Sequence, residues 1–125
     1  MTQQHEMKHS DVTERIIRCA IEVHKALGPG LPREFYSRAL AIELERSELP
    51  FVPDVAVKVV YADVTLGERR VPFVVADVVV VVPQTTEIDD AAIASGVSML
   101  RATGKQVGLL LNFGRARLDI RRIAN

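Results

Sequence analysis

Cysteine occurs once in this chain, at Cys19, and a single thiol can build neither an internal disulfide framework nor a cysteine-rich zinc site. It falls inside a helical apolar pattern, where the expected state is a buried, unreactive thiol. Net charge is missing as well, because 16 Lys and Arg balance 16 Asp and Glu. A protein that grips a nucleic-acid backbone over a long footprint carries a basic excess, so this balance counts against that class. No apolar run reaches the length of a bilayer span, and the polar stretch Met1 to Ser10 does not read as a signal peptide. Cytoplasmic residence without a membrane partner is therefore the expectation. What is present, 48% hydrophobic and 26% charged residues in a chain of 125, is too apolar for intrinsic disorder and long enough to bury one core.

The most informative absence lies in Val78 to Val82, five consecutive valines that end at Pro83 and include no acid, amide, hydroxyl or base. β-Branched residues suit a pleated strand, and an unbroken apolar run suits one covered on both faces. This segment is expected to be the central strand of a sheet with helices packed over it, and it carries no side-chain chemistry of its own.

Around it the pattern predicts one domain over residues 11–125 after a disordered leader, Met1 to Ser10, whose His5 and His9 carry no functional weight. Asp11 and Glu14 resemble a capping box, followed by an apolar stripe that predicts a helix from Val12 to Leu27, stopped by Gly28 and Pro29. A second helix is expected from Pro32 to about Glu48. Alternation from Phe51 onward indicates a strand, Thr65-Leu66-Gly67-Glu68 a turn, and Arg69 to Val75 a second strand, linked by Ala76-Asp77 to the valine strand. Thr86 and Asp89 repeat the cap signature before a third helix, from Ala91 to the stop at Thr103-Gly104. Strands are expected from Val107 to Asn112 and, at a sheet edge, from Arg117 to Ile123. The order is α-α-β-β-β-α-β-β.

Three segments carry a resemblance: Ala20 to Leu31 (AIEVHKALGPGL), Thr65 to Glu68 (TLGE) and Thr103 to Phe113 (TGKQVGLLLNF). Together they resemble a bacterial family known by its motif as GxxExxY proteins, within the PD-(D/E)XK nuclease-like superfamily, over about Val12 to Ile123. The resemblance implies a single α/β domain, a mixed central sheet flanked by helices, of restriction-endonuclease-like type. In presumed active members, an acid on the second strand and a Glu-x-Lys on the third form a divalent-metal site. A glutamate from the second helix and His and Gln from the third stand beside it. Carboxylate oxygens hold a hard cation that activates water, and the lysine offsets developing negative charge. Here the second-strand acid falls on Val71, the Glu-x-Lys on Val81, Val82 and Pro83, the helix-two glutamate on Arg33, and the His and Gln on Ala92 and Ser95. Gly30 and Tyr36 of the motif persist. The resemblance thus implies a member without the catalytic residues, its former cleft turned into core.

The remaining candidate residues each have a plainer role beside a chemical one. A rival register draws three carboxylates from Asp77, Glu87 and Asp89, which would make a displaced nuclease site using Mg or Mn; it needs a gap that the anchors do not require. Asp77 as a turn residue and the others as first-turn helix acids are the plainer readings. His24, on the apolar side of the first helix, is expected to donate a hydrogen bond to a loop carbonyl rather than to transfer protons. Arg115, Arg117 and Arg121 are read on one face of the last strand, with Asp119 between them and Arg122 on the other side, the only basic cluster. They could meet phosphate or an acidic protein, although protection of an exposed sheet edge is favoured. Gly28-Pro29-Gly30 matches no phosphate-binding loop.

The resulting expectation is an inactive nuclease-fold protein that serves as an interaction or assembly module. It would have no cofactor and a protein partner that includes further copies of itself. A metal-dependent nuclease using the displaced acids and a nucleic-acid binder using the arginines are the alternatives.

Overall fold

A computed structural model of the protein describes residues 9–85 and 87–125. Helix α1 (His9–Leu27) and helix α2 (Arg33–Arg46) precede strands β1 (Phe51–Tyr61), β2 (Val64–Val75) and β3 (Val78–Val81). Helix α3 (Asp90–Thr103) then crosses to β4 (Val107–Asn112), and β5 (Asp119–Ala124) closes the chain. The order is the expected one, and the five strands form one mixed sheet in the order β1-β2-β3-β4-β5. β3 and β4 run parallel, as their connection through a helix requires, and the other neighbours are antiparallel.

β3 is central because valine has nothing to lose on either face. Val78 and Val80 pack into the cluster under α1 and α2, with Ile16, Val23, Tyr36, Leu40 and Leu111. Val79 joins the opposite cluster under α3, with Val71, Leu100, Leu110 and Ile123. Two apolar layers against one sheet account for the unbroken valine run, which alternation alone would not produce. On the α3 side the helix comes close enough that a Cβ at Gly96 would lie 2.7 Å from Ile123 Cδ1 and 3.0 Å from Leu110 Cδ2.

Several boundaries differ from the pattern-based expectation. The hairpin turn is Ala62-Asp63, not Thr65 to Glu68; both turn residues have positive φ, 50° and 64°, matching the twist of a two-residue hairpin loop. Gly67 instead sits inside β2 opposite Val59, where the register slips between Val59 and Val60, so this glycine marks a bulge and not a turn. α1 begins at His9, so the last two residues of the expected leader are helical; its first eight, His5 among them, and Thr86 lie outside the described residues. Pro32 stands just outside α2 as its N-cap, and α2 ends at Arg46, with Glu48 at φ 60°. Asp89 does cap α3, accepting from Ala92 N at 2.9 Å, and Gly104 ends it with φ 72°. β5 starts at Asp119, two residues later than expected, which leaves Arg115 and Arg117 in the preceding loop.

Candidate functional site

The position where the resemblance puts a metal site is an apolar cluster. Val71 of β2 is fully buried, at 0% exposure, and shares a cluster with Val79, Ile88, Met99, Leu100, Leu110 and Ile123. Val81 of β3 and Ala92 of α3 pack against the same cluster, so the sheet does bring these family positions together. Pro83 follows in the loop after β3, half-buried. Ser95 is occupied by Arg69, whose Nη2 donates to Ser95 Oγ while Nη1 donates to Ser98 Oγ at 3.4 Å. Arg33 opens α2 and is exposed. No side chain among Val71, Val81 and Pro83 has an oxygen to offer, and the hydrocarbon surroundings of Val71 and Val81 would leave an ion without compensation. These residues do not fit a divalent cation.

The displaced acids are not brought together. Asp77 lies in the β2–β3 turn, where its Oδ1 accepts from Lys105 Nζ at 3.1 Å, beyond the C-terminal end of α3. Asp89 caps the other end of this 14-residue helix, a separation of ~20 Å along its axis. Glu87 precedes Asp89 and is exposed. Parallel crossover connections force this outcome, because the start of β3 and the start of the following helix lie at opposite ends of the sheet. Among the described residues, no group of three His, Cys, Asp or Glu side chains is placed to hold a metal ion.

Polar order concentrates instead where three loops meet at the C-terminal ends of β3 and β4. Tyr36, 1% exposed, donates its hydroxyl to Gly28 O at 2.5 Å and accepts from Leu31 N at 3.1 Å, so it ties down the turn between α1 and α2. Its ring stacks on Phe113 at 4.8 Å, with the planes 6° apart. His24 Nε2 lies 2.8 Å from Arg115 O and donates, since a carbonyl can only accept. This is the loop-carbonyl bond expected for it. Gly30 and Tyr36 thus have structural roles in this turn: the tyrosine holds it, and Gly30 adopts φ 108°.

Three residues of this region escaped sequence reasoning. Asn112, fully buried, donates to Thr85 O at 2.9 Å and accepts from Gly114 N at 3.0 Å, joining the loops that follow β3 and β4. Gln84 Nε2 donates to Leu31 O at 2.6 Å. Arg69, the partner of the two serines, offered no signal beside Arg70. For Asn112 a signal existed, since an amide ending the apolar run Gly108 to Leu111 needs partners once buried. Cys19 is buried, with Sγ 3.3 Å from Ser47 Oγ. The arginine cluster is divided: Arg115 pairs with Asp119 at 3.8 Å, Arg117 is exposed in the same loop, and Arg121 and Arg122 are exposed on β5. Among the described residues no helix is long and apolar enough to cross a membrane.

This element order, with two helices before a three-strand antiparallel unit and a crossover helix onto a parallel fourth strand, defines a class of small nuclease-like α/β domains. The family model of the PD-(D/E)XK nuclease superfamily matches residues 10–123. The chain belongs to that superfamily. Neither the curated proteins nor the solved structures contain a match to it.

Proposed function

We propose that this protein is a GxxExxY-type member of the superfamily that has lost catalysis and acts as a cytoplasmic interaction or assembly module. The observation that carries this reading is the packing of Val71 and Val81 in one apolar cluster with Ala92, where the resemblance puts two metal-binding carboxylates and a polar neighbour. Clustered carboxylates destabilise a fold unless a cation compensates them, and well-packed apolar residues in their place are often neutral or stabilising. Retention of the scaffold without those groups favours a role for the surface. The free thiol of Cys19 agrees with a reducing compartment. Apolar side chains left exposed along the β1–β2 hairpin, among them Val60, Tyr61, Val64 and Leu66, supply a surface for protein partners, including copies of the chain.

The test is plasmid nicking by the purified protein in magnesium or manganese, run beside sedimentation velocity. The expected result is unchanged supercoiled plasmid and an assembly larger than one chain. Metal-dependent nicking that disappears in Asp77→Ala would overturn the loss of catalysis.

A further inference from the structure

β1 stands at the outside of the sheet, and among the described residues its outer backbone edge has no neighbouring strand. Its eleven residues, Phe-Val-Pro-Asp-Val-Ala-Val-Lys-Val-Val-Tyr, form a near-mirror about their midpoint, Ala56. Counting outward from that residue, Val55 corresponds to Val57, Asp54 to Lys58, Val52 to Val60 and Phe51 to Tyr61. Only Pro53 and Val59 break the pattern, and both are apolar. A segment with this symmetry matches itself when a second copy is laid alongside it antiparallel. At the centre Val55 then meets Val57, and the one charged pair, Asp54 with Lys58, joins opposite signs, twice.

The side-chain faces agree with that arrangement from Asp54 to Lys58; beyond it Val52 and Val60 fall on opposite faces. Val52, Val55 and Val57 line one depression with Ala102 and Thr103 at the end of α3. Asp54 faces the other way, beside Ser37 and Ala41 of α2, and strand alternation from Val57 puts Ala56 and Lys58 on that same side. The reversal between Val52 and Val55 coincides with Asp54 at φ 52°. Ala56 is exposed and small, so two backbones can approach closely at the axis. Lys58 lies opposite Glu68 in the hairpin register, yet it makes no ion pair among the described residues. Asp54 reaches Arg70 at 3.7 Å but keeps a 73% exposed side chain, which leaves it free to accept a second cation.

Exposed apolar surface concentrates on the same element. Among the described residues, six of the ten large hydrophobic residues that remain exposed belong to this hairpin, four of them on β1, so the apolar excess and the self-matching edge coincide. A lysine and a proline on an edge strand can also serve to prevent pairing. Here, however, the lysine has an aspartate at its mirror position, and the proline stands outside the central matched pairs.

We propose that β1 pairs antiparallel with β1 of a second copy about a two-fold axis at Ala56, joining two five-stranded sheets into one continuous sheet. This inference rests on the assembly reading above and specifies its surface, register and partner. Two measurements on the full chain test it. Under mild oxidation Ala56→Cys is expected to form a covalent dimer, because facing Cα atoms in antiparallel strands lie about 4.5–5.5 Å apart, within disulfide reach. Val64→Cys, on β2 and off the axis, is expected to stay uncrosslinked. By sedimentation, K58D is expected to weaken the dimer about tenfold or more, since it sets like charges opposite each other at both symmetric positions. The double variant D54N/K58D removes that repulsion and should recover most of the association. Circular dichroism confirms folding of each variant, and exposed Lys58 has no ion-pair partner to lose among the described residues. A dimer indifferent to K58D and not captured through Ala56→Cys would overturn this interface while leaving the assembly reading standing. A monomer at micromolar concentration would overturn both.

Discussion

Val71→Asp puts a carboxylate where the resemblance expects one and asks the surrounding hydrocarbon to accept it. The side chain at 71 is fully buried among Val79, Ile88, Met99, Leu100, Leu110 and Ile123, and none of these can donate a hydrogen bond or a charge. Desolvation of that kind raises a carboxyl pKa from its unfolded value of about 3.9 to about 7 or above. At 1.36 kcal/mol for each pH step between the two, the ionised group costs ~4 kcal/mol at pH 7, to which lost valine burial adds about 1 kcal/mol. Domains are stable by about 5–15 kcal/mol, so the variant should be close to unfolding at neutral pH. The sign follows from proton binding. Between pH 4 and pH 7 the folded state holds the proton and the unfolded state has released it, so stability falls as pH rises. Urea unfolding followed by circular dichroism at pH 4.5 and pH 7, with Val71→Ala as the size control, measures this. The alanine variant should lose about 2 kcal/mol with no added pH slope relative to wild type. If Val71→Asp matched Val71→Ala at both pH values, or if manganese raised its stability, the apolar-plug reasoning would be refuted.

Three further outcomes follow from the same structure. Tyr36→Phe should cost about 1–3 kcal/mol in urea unfolding, because the Gly28 carbonyl and the Leu31 amide lose their shared partner under a buried ring. Asp89→Ala should lose about 1 kcal/mol, the usual worth of an N-cap, with no change in assembly by sedimentation. Arg115→Ala combined with Arg117→Ala should leave DNA retention in a gel unchanged at moderate salt. A steep loss of salt-sensitive binding in that double variant would instead establish a nucleic-acid surface in the loop before β5.

Element type and order were legible in the chain because they depend on local periodicity. The helical stripe from Ile16 to Leu27, the valine run of β3 and the apolar run of β4 each carry their own signature. The hairpin turn was not legible, because Ala62-Asp63 lacks the usual glycine while Gly67 advertises a turn that is in fact a bulge. That Val71, Val81 and Pro83 carry no side-chain oxygen was readable from the residues themselves. Their burial in a common cluster was a matter of packing.

Composition and periodicity by themselves determined a single α/β domain with one buried thiol and a featureless central strand, since burial follows from the spacing of apolar residues along one element. Only the tertiary structure decided distances between elements. It separated Asp77 from Asp89 by the length of α3, sent Arg69 to Ser95, joined Tyr36 to Phe113 and left β1 on the outside of the sheet. Such contacts depend on strand order and crossover direction, which long-range packing sets and which no local window of residues encodes.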